Sequence, residues 1–155
     1  YDQRMPVQLI LAALDILITL AQQCSYSDMD IKVMRAMCGD IAFAMIAFNG
    51  DLIGLTSGTH ISGTPGTVIV NGIVGSLNKR CFYFTKYPAT DNFRDYVALV
   101  TYGDDNKGTV SPKRPDFNIK GCSELLAKYG QIYTMPDKES ELVPYMDEKD
   151  AEFLK

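Results

Sequence analysis

The sequence lacks an excess of positive charge. Fifteen lysine and arginine residues stand against nineteen aspartate and glutamate residues, which gives a formal net charge of −4. This balance argues against a free-standing nucleic-acid-binding domain with a broad basic face. The negative excess lies in residues 137–155, which hold seven acidic and three basic residues, and the rest of the chain is neutral. We interpret this tail as a solvated acidic face that says little about the chemistry upstream.

Motifs that define several common protein classes are also absent. The four cysteines form no C-x-x-C pair, so we expect neither a zinc site nor a dense disulfide framework. No N-glycosylation sequon occurs and no cleavable signal precedes the first apolar run, so nothing points to secretion. That run, from Val7 to Ala21, is shorter than the ~20 residues that span a bilayer, and Asp15 interrupts it. It favours a buried helix.

The glycine-rich segment 62–67 matches no nucleotide-binding fingerprint. Its sequence, Ser-Gly-Thr-Pro-Gly-Thr, precedes a predicted helix and could offer backbone N–H groups to a phosphate. No Gly-Lys-Ser/Thr follows and no G-x-G-x-x-G is present, so a plain helix-entry loop is the alternative. The single histidine, His60, has no partner at catalytic spacing, and we assign it no role.

The segments that are present predict one α+β domain. A chain of 155 residues with 46% hydrophobic residues can form its own core. Helices are expected from Pro6 to about Gln23, from a cap at Asp28 or Asp30 to about Met37, and over 67–84 and 119–129. Turn sequences predict hairpins around 49–51 and 102–105, and composition predicts a short strand over 132–135.

Asp104 and Asp105 are the strongest chemical signal in the sequence. They lie at the tip of the second predicted hairpin, where adjacent carboxylates are electrostatically costly unless they share a cation. A hard cation such as Mg²⁺ takes oxygen ligands and keeps substrate phosphates and waters in its remaining positions, which suits phosphoryl chemistry. An ordinary Gly-Asp turn with both acids solvated is the alternative.

Together these segments resemble the RNA-directed RNA polymerases of picorna-like positive-strand RNA viruses. Tyr-Gly-Asp-Asp at 102–105 resembles motif C of that family. Ser62, Thr67 and Asn71 are spaced as in motif B, although Thr-His-Ile at 59–61 replaces the usual Gly-x-Pro. Tyr-Asp at 1–2 is similar to the end of motif A, residues 128–138 to motif D, and residues 153–155 to the opening of motif E.

The resemblance implies a role for each matched residue. Asp104 and Asp105 would bind Mg²⁺, or Mn²⁺, and Lys138 would be the general acid for the pyrophosphate leaving group. Asp2 and Asn71 would recognise the ribose 2′-hydroxyl, Ser62 and Thr67 would complete the same network, and Gly63 would allow the loop to move as the nucleotide enters. The alternatives are helix capping for Thr67 and Asn71 and a solvated lysine for Lys138.

The resemblance also implies a polymerase palm, an antiparallel sheet backed by helices. Residues 3–59 would belong partly to the fingers, 60–145 to the palm core, and 146–155 to the start of motif E, towards a thumb. Expected partners are RNA template and primer, nucleoside triphosphates, the fingers and thumb of the same polyprotein, and other viral replication proteins. The expected location is the host cytoplasm, in membrane-associated replication complexes, with no transmembrane segment in this chain.

Three further expectations complete this interpretation. The first motif A aspartate would lie upstream of Tyr1, so the chain alone is expected to be inactive. A reverse transcriptase, which also uses a Tyr-x-Asp-Asp hairpin, is the alternative enzyme, and the Ser-Gly, Thr, Asn pattern counts against it. An interaction domain with structural Gly-Asp turns is the non-enzymatic alternative.

Overall fold

The computed structural model describes residues 5–54, 63, 65–151 and 153–154. It combines helices with antiparallel strands, as expected for an α+β fold. In chain order the elements are α1 (Val7–Gln23), α2 (Asp28–Ala42), β1 (Met45–Phe48), β2 (Asp51–Gly54), α3 (Thr67–Lys86), β3 (Val97–Tyr102), β4 (Asp105–Val110) and α4 (Ile119–Ala127). The chain divides into two compact units, Tyr1–Val70 and Asn71–Lys155. None of the described helices is long and apolar enough to cross a bilayer.

Helices α1 and α2 pack together in the first unit. The end of α1 at Gln23 is confirmed, and Pro6 is its N-cap rather than its first helical residue, with extended ψ of 133°. Buried Ile18 and Ala21 of α1 contact Ile31 of α2. The predicted burial of α1 is partial: Ile10, Ala13 and Leu14 are also buried, whereas the side chains of Leu11, Ile16 and Leu20 are exposed.

A capping box, rather than an aspartate cap, starts α2. The N-cap is Ser27, whose Oγ accepts a hydrogen bond from Asp30 N at 3.2 Å. The Asp30 carboxylate in turn accepts from Ser27 N at 3.1 Å. The predicted caps Asp28 and Asp30 are therefore helical residues, and Asp30 is the reciprocal partner of the cap. The helix also extends beyond the predicted end at Met37, to Ala42, which is buried.

The first hairpin follows the turn chemistry of its Asn-Gly pair. Phe48 pairs with Asp51 across a two-residue turn. Asn49 and Gly50 both have positive φ, 51° and 89°, as a type I′ turn requires. The predicted hairpin is confirmed, with β1 over Met45–Phe48 and β2 over Asp51–Gly54.

The core of the second unit is aromatic. Helix α3, predicted over 67–84, is confirmed and continues to Lys86. Its Phe82 and Tyr83 pack with buried residues from the following segments, namely Phe93, Val97, Phe117, Cys122 and Leu126. Ring centroids of Tyr83 and Phe93 lie 5.2 Å apart in an edge-to-face arrangement. This core faces one side of the β3–β4 hairpin, through Val97, Leu99 and Val110.

The segment after α4 is ordered by turns and side chains rather than by a sheet. Gln131 N donates to Leu126 O at 3.0 Å, and Gly130 has the positive φ, 73°, typical of a helix C-terminus. The predicted strand over 132–135 is wrong, because this segment is irregular in the structure. In the described part of the chain the sheets are the two hairpins, and neither pairs with this segment.

Candidate active site

The Asp104–Asp105 pair lies at a tight hairpin turn. Tyr102 pairs with Asp105, so Gly103 and Asp104 form the two-residue connection between β3 and β4. Gly103 has a φ of 57°, the positive value that a type II′ turn requires at its first central position and that glycine adopts without strain. Both carboxylates are exposed. The predicted hairpin is confirmed, and its turn presents two adjacent acids to solvent.

Helix α3 packs directly behind this turn. A Cβ atom placed on Gly72 would lie 3.5 Å from Thr101 Oγ1 and 3.8 Å from Gly103 N. These are ordinary van der Waals distances, so the helix backbone is close to the turn without crowding it. Asn71 precedes Gly72 and is 5% exposed. The structure therefore places Asn71 next to the position of α3 that lies close to the turn.

A hydrogen bond from Tyr133 holds β4, the strand that follows the turn. Asn106 follows Asp105 on β4, and its Oδ1 accepts a hydrogen bond from the Tyr133 hydroxyl at 2.8 Å. Asn106 pairs with Thr101 in the antiparallel register, so both side chains lie on the same face of the hairpin. That face carries Val97 and Leu99 towards the core. Asp105 precedes Asn106 in the strand and therefore lies on the opposite face.

Two adjacent residues of α3 bind the segment that contains Tyr133. Asn78 Nδ2 donates to Gln131 Oε1 at 2.9 Å, and both residues are buried. Lys79 Nζ lies 3.8 Å from the centroid of the Tyr133 ring and 3.2 Å from Cys122 Sγ. Lys79 is only 8% exposed, and the ion pairs among the described residues do not include it. A buried cation facing an aromatic ring is an unusual arrangement, and a lysine in a helix gives no sequence signal for it.

Two of the other predicted site residues, Gly63 and Thr67, are among the described residues of the first unit. Gly63 is exposed with a φ of 88°, and Thr67 is the first residue of α3. Asp2 and Ser62 lie outside the described residues. Asn71 is the fifth residue of α3, so capping of that helix does not explain it.

Lys138 lies in an exposed turn, next to Asp137, whose carboxylate is hydrogen-bonded within the same turn. Its N donates to Met135 O at 2.9 Å, and its own φ is 62°. The Asp137 carboxylate accepts hydrogen bonds from the Ser140 hydroxyl and from Ser140 N, the latter at 3.0 Å. These bonds, the one from the Ser140 hydroxyl foremost, hold the pKa of Asp137 below its usual value. The carboxylate beside Lys138 therefore stays ionised at neutral pH and is engaged by Ser140.

The donor set at the turn fits a hard divalent cation in kind but supplies only part of its ligands. Two exposed carboxylates offer oxygen atoms, which Mg²⁺ and Mn²⁺ prefer. Within the described ranges, no group of three histidine, cysteine, aspartate or glutamate side chains is placed to hold a metal ion. A complete site at this turn therefore needs ligands from elsewhere, such as water, phosphate oxygens or a further carboxylate.

Tyr83, Asp91 and Arg114 form a second polar cluster, whose hydrogen bonds do not involve the turn residues. Arg114 Nη2 lies 2.6 Å from Asp91 Oδ2, and Arg114 Nε donates to the Tyr83 hydroxyl at 3.0 Å. The guanidinium also lies 3.8 Å from the centroid of the Tyr96 ring. The hydrogen bond from Arg114 lowers the pKa of Asp91, and burial raises the pKa of Tyr83. This cluster ties the loop after β4 to α3 and has a structural role.

Comparison with known proteins identifies the class that these features define. The family of viral RNA-dependent RNA polymerases matches residues 1–155 of the chain. The chain therefore belongs to this family, and the predicted resemblance to picorna-like polymerases is confirmed.

Individual relatives are polyproteins of plant and insect viruses. The RNA1 polyprotein of Cherry rasp leaf virus is 34% identical over 150 residues, which cover 88% of this chain and 7% of that polyprotein. The RNA1 polyprotein of Andean potato mottle virus is 37% identical over 61% of this chain and 14% of its own length. The replicase polyprotein of Acute bee paralysis virus is 28% identical over 82% of this chain and 7% of its own length. The chain thus spans a small part of the relatives it matches.

Proposed function

We propose that this chain forms part of the active site of a polymerase that copies viral RNA. The reaction is the attack of an RNA 3′-hydroxyl on the α-phosphate of a nucleoside triphosphate, directed by a template and releasing pyrophosphate. The main support for the proposal is the hairpin turn that exposes Asp104 and Asp105, in a chain that belongs to the viral RNA polymerase family. The names of the relatives, replicase and RNA1 polyproteins, support genome replication as the setting.

Asp104 and Asp105 would hold divalent metal ions in this reaction. Bound Mg²⁺, or Mn²⁺, would neutralise charge on the phosphates and lower the barrier to nucleotidyl transfer. Both carboxylates are exposed on a two-residue turn, so they can reach a phosphate-bound cation without burying an uncompensated charge. Water, phosphate oxygens and a further carboxylate would complete a two-metal arrangement.

Asn71 would contribute to recognition of the ribose 2′-hydroxyl. Its side-chain amide can donate and accept hydrogen bonds, and it is buried beside the helix position that contacts the turn. Asp2, Ser62 and Thr67 would complete the network, with Gly63 allowing the loop to move. Because Asn71 lies inside α3, its backbone is fixed by the helix, which suits a residue that discriminates between sugars.

Lys138 would act as general acid towards pyrophosphate. Its exposed position in a turn allows it to approach an anionic leaving group. On this proposal residues 3–59 belong partly to the fingers, 60–145 to the palm and 146–155 to the start of motif E, and RNA template and primer are the partners. Replication on host membranes in the cytoplasm is the proposed setting.

Replacement of Asp104 tests the proposal. In the complete polymerase that contains these residues, we expect Asp104→Ala to lower single-nucleotide addition to an RNA primer by about 10²-fold or more, because charge stabilisation of the transition state is lost. Asp51→Ala is the matched control, since Asp51 is also exposed and also follows a glycine in a hairpin. It should retain activity.

Two results would contradict the proposal. Addition by Asp104→Ala within a few-fold of the unmodified enzyme would remove the catalytic assignment and favour a structural Gly-Asp turn. Preferential use of deoxyribonucleotides by the unmodified polymerase would instead favour the reverse transcriptase alternative.

A further inference from the structure

The face of the β3–β4 hairpin opposite Asp105 is held at two points near the turn. At one point Thr101 and Gly103 lie close to Gly72 of α3, where an added Cβ would be 3.5 Å from Thr101 Oγ1 and 3.8 Å from Gly103 N. At the other, Asn106 Oδ1 accepts the hydrogen bond from Tyr133 at 2.8 Å. Asn106 follows Asp105 directly in β4, and both residues are paired with β3. A contact that holds Asn106 therefore also restricts the backbone of Asp105.

Tyr133 itself is held by groups that do not belong to the hairpin. Lys79 Nζ lies 3.8 Å from the centroid of its ring, and the backbone O of Tyr133 accepts a hydrogen bond from Ser123 Oγ at 3.4 Å. The neighbouring pair of Asn78 and Gln131 holds the same segment two residues earlier. Because the segment forms no strand pairing, these side-chain contacts set the position of the Tyr133 hydroxyl.

We infer that Tyr133 is a positioning residue for the metal-binding turn, acting through its hydrogen bond to Asn106 on the strand that begins with Asp105. The inference rests on the proposed function. Outer-shell groups orient carboxylate ligands and thereby set the affinity of a site for its metal. Tyr133 donates its hydrogen bond to Asn106 rather than to a carboxylate ligand itself. It thereby fixes β4, the strand that begins with the proposed ligand Asp105. It also lies five residues before Lys138, so one ordered segment contacts the turn and carries the proposed general acid.

The test is the Mg²⁺ dependence of nucleotide addition by the complete polymerase carrying Tyr133→Phe. This change removes the hydroxyl and keeps the ring that faces Lys79. We expect the Mg²⁺ concentration for half-maximal rate to rise about fivefold, the equilibrium factor of one ordinary hydrogen bond, with RNA binding unchanged. Raising Mg²⁺ should restore most of the rate. If the variant were only less stable overall, raising the Mg²⁺ concentration would not restore its rate.

Tyr145→Phe is the matched control. The Tyr145 hydroxyl donates to Pro115 O at 2.6 Å and Phe117 O at 3.2 Å in the same unit, and neither bond involves Asn106. This variant loses a hydroxyl of the same kind and should keep the Mg²⁺ dependence of the unmodified enzyme. Asn106→Ala should shift that dependence in the same direction as Tyr133→Phe, and combining the two should add little further shift, because both remove one interaction.

Three outcomes would overturn the inference. These are an unchanged Mg²⁺ dependence in Tyr133→Phe, an equal shift in Tyr145→Phe, and independent, additive shifts from Tyr133→Phe and Asn106→Ala. Asp104→Ala separates this failure from failure of the proposed function. If Asp104→Ala abolishes addition while Tyr133→Phe leaves the Mg²⁺ dependence unchanged, only the positioning role is wrong. If Asp104→Ala remains active, the proposed function itself fails.

Discussion

Substitution of Gly72 would test whether α3 sets the position of the Asp104–Asp105 turn. Gly72 is inside α3, and an added Cβ would lie 3.5 Å from Thr101 Oγ1 and 3.8 Å from Gly103 N. Alanine therefore fits without displacing either group. Since alanine in a helix interior is favoured over glycine by about 1 kcal/mol, Gly72→Ala should raise the free energy of unfolding by up to about that amount.

Valine at the same position should have the opposite effect. Its two methyl groups extend from a Cβ that is already in contact with the hairpin. Overpacking of this kind costs about 1–3 kcal/mol, which exceeds the helix gain over glycine. The strain would be relieved by moving either α3 or the turn, and the turn is the smaller element. We therefore expect Gly72→Val to be destabilised and to require more Mg²⁺ for nucleotide addition, whereas Gly72→Ala should keep the original requirement.

The assay combines denaturant-induced unfolding of the complete polymerase with single-nucleotide addition across a Mg²⁺ series. Gly39→Val in α2 is a control for valine in a helix, because a Cβ on Gly39 meets no atom within 4 Å. It should leave the Mg²⁺ requirement unchanged. The reasoning is refuted if Gly72→Val adds nucleotides with the unmodified Mg²⁺ dependence, or if Gly72→Ala loses activity as severely as the valine variant.

Three further predictions concern the other residues of the second unit. Asn71→Ala should weaken discrimination between ribo- and deoxyribonucleotides in competition assays, and an unchanged preference at full activity would leave Asn71 a structural residue of α3. Lys138→Leu should lower the maximal rate by up to about 10²- to 10⁴-fold with little change in apparent nucleotide affinity, and the reverse pattern in presteady-state kinetics would make Lys138 an electrostatic contact. The depressed pKa of Asp91 stabilises the fold above the unfolded-state pKa of about 3.9, and this contribution is lost as pH falls through the lower folded-state value. Melting curves between pH 7 and pH 3 should therefore show a smaller loss of stability for Asp91→Asn than for the unmodified chain, and identical losses would contradict the role of the Arg114 pair.

The parts of the fold that could be predicted from sequence are those set by local chemistry. The Asn-Gly turn at 49–50 and the Gly103 turn determine where each hairpin reverses, because few residues accept the positive φ values these turns need. Helix α3 could be predicted from the length of its apolar segment, although that segment contains an Asn-Gly pair at 71–72. The spacing of Ser62, Thr67 and Asn71 and the Tyr-Gly-Asp-Asp sequence indicated the same family that the comparison shows. Such motifs can be recognised from sequence because their residues lie close together along the chain.

The parts that could not be predicted depend on contacts between distant segments. Residues 132–135 have strand composition, but β3 and β4 pair with each other and the segment is held by side chains instead. The bond from Asn78 to Gln131 joins residues 53 positions apart, and no local pattern encodes it. The burial of Lys79 was missed for the same reason, because a charged residue on a helix normally indicates a solvated face.

The two hairpins show why a Gly-Asp turn alone does not define a metal site. Both contain the pair, at Gly50–Asp51 and at Gly103–Asp104, and both turns need a glycine with positive φ. The residues of β1 and β2 are all exposed, and an isolated two-stranded hairpin with no buried face is marginally stable in water. Such a hairpin offers a carboxylate without fixing its position.

The second hairpin differs in what supports it. Val97 is buried in the aromatic core, Thr101 lies against α3, and Asn106 is bound by Tyr133. Each support acts on the face opposite Asp105, so the carboxylates remain exposed while the backbone that carries them is fixed. Metal binding needs both properties, since ligand oxygens must reach the ion and must not lose much conformational freedom when they bind it. Only the second hairpin combines them among the residues that the structure describes, which is a physical reason for proposing catalysis at Asp104 and Asp105 rather than at Asp51.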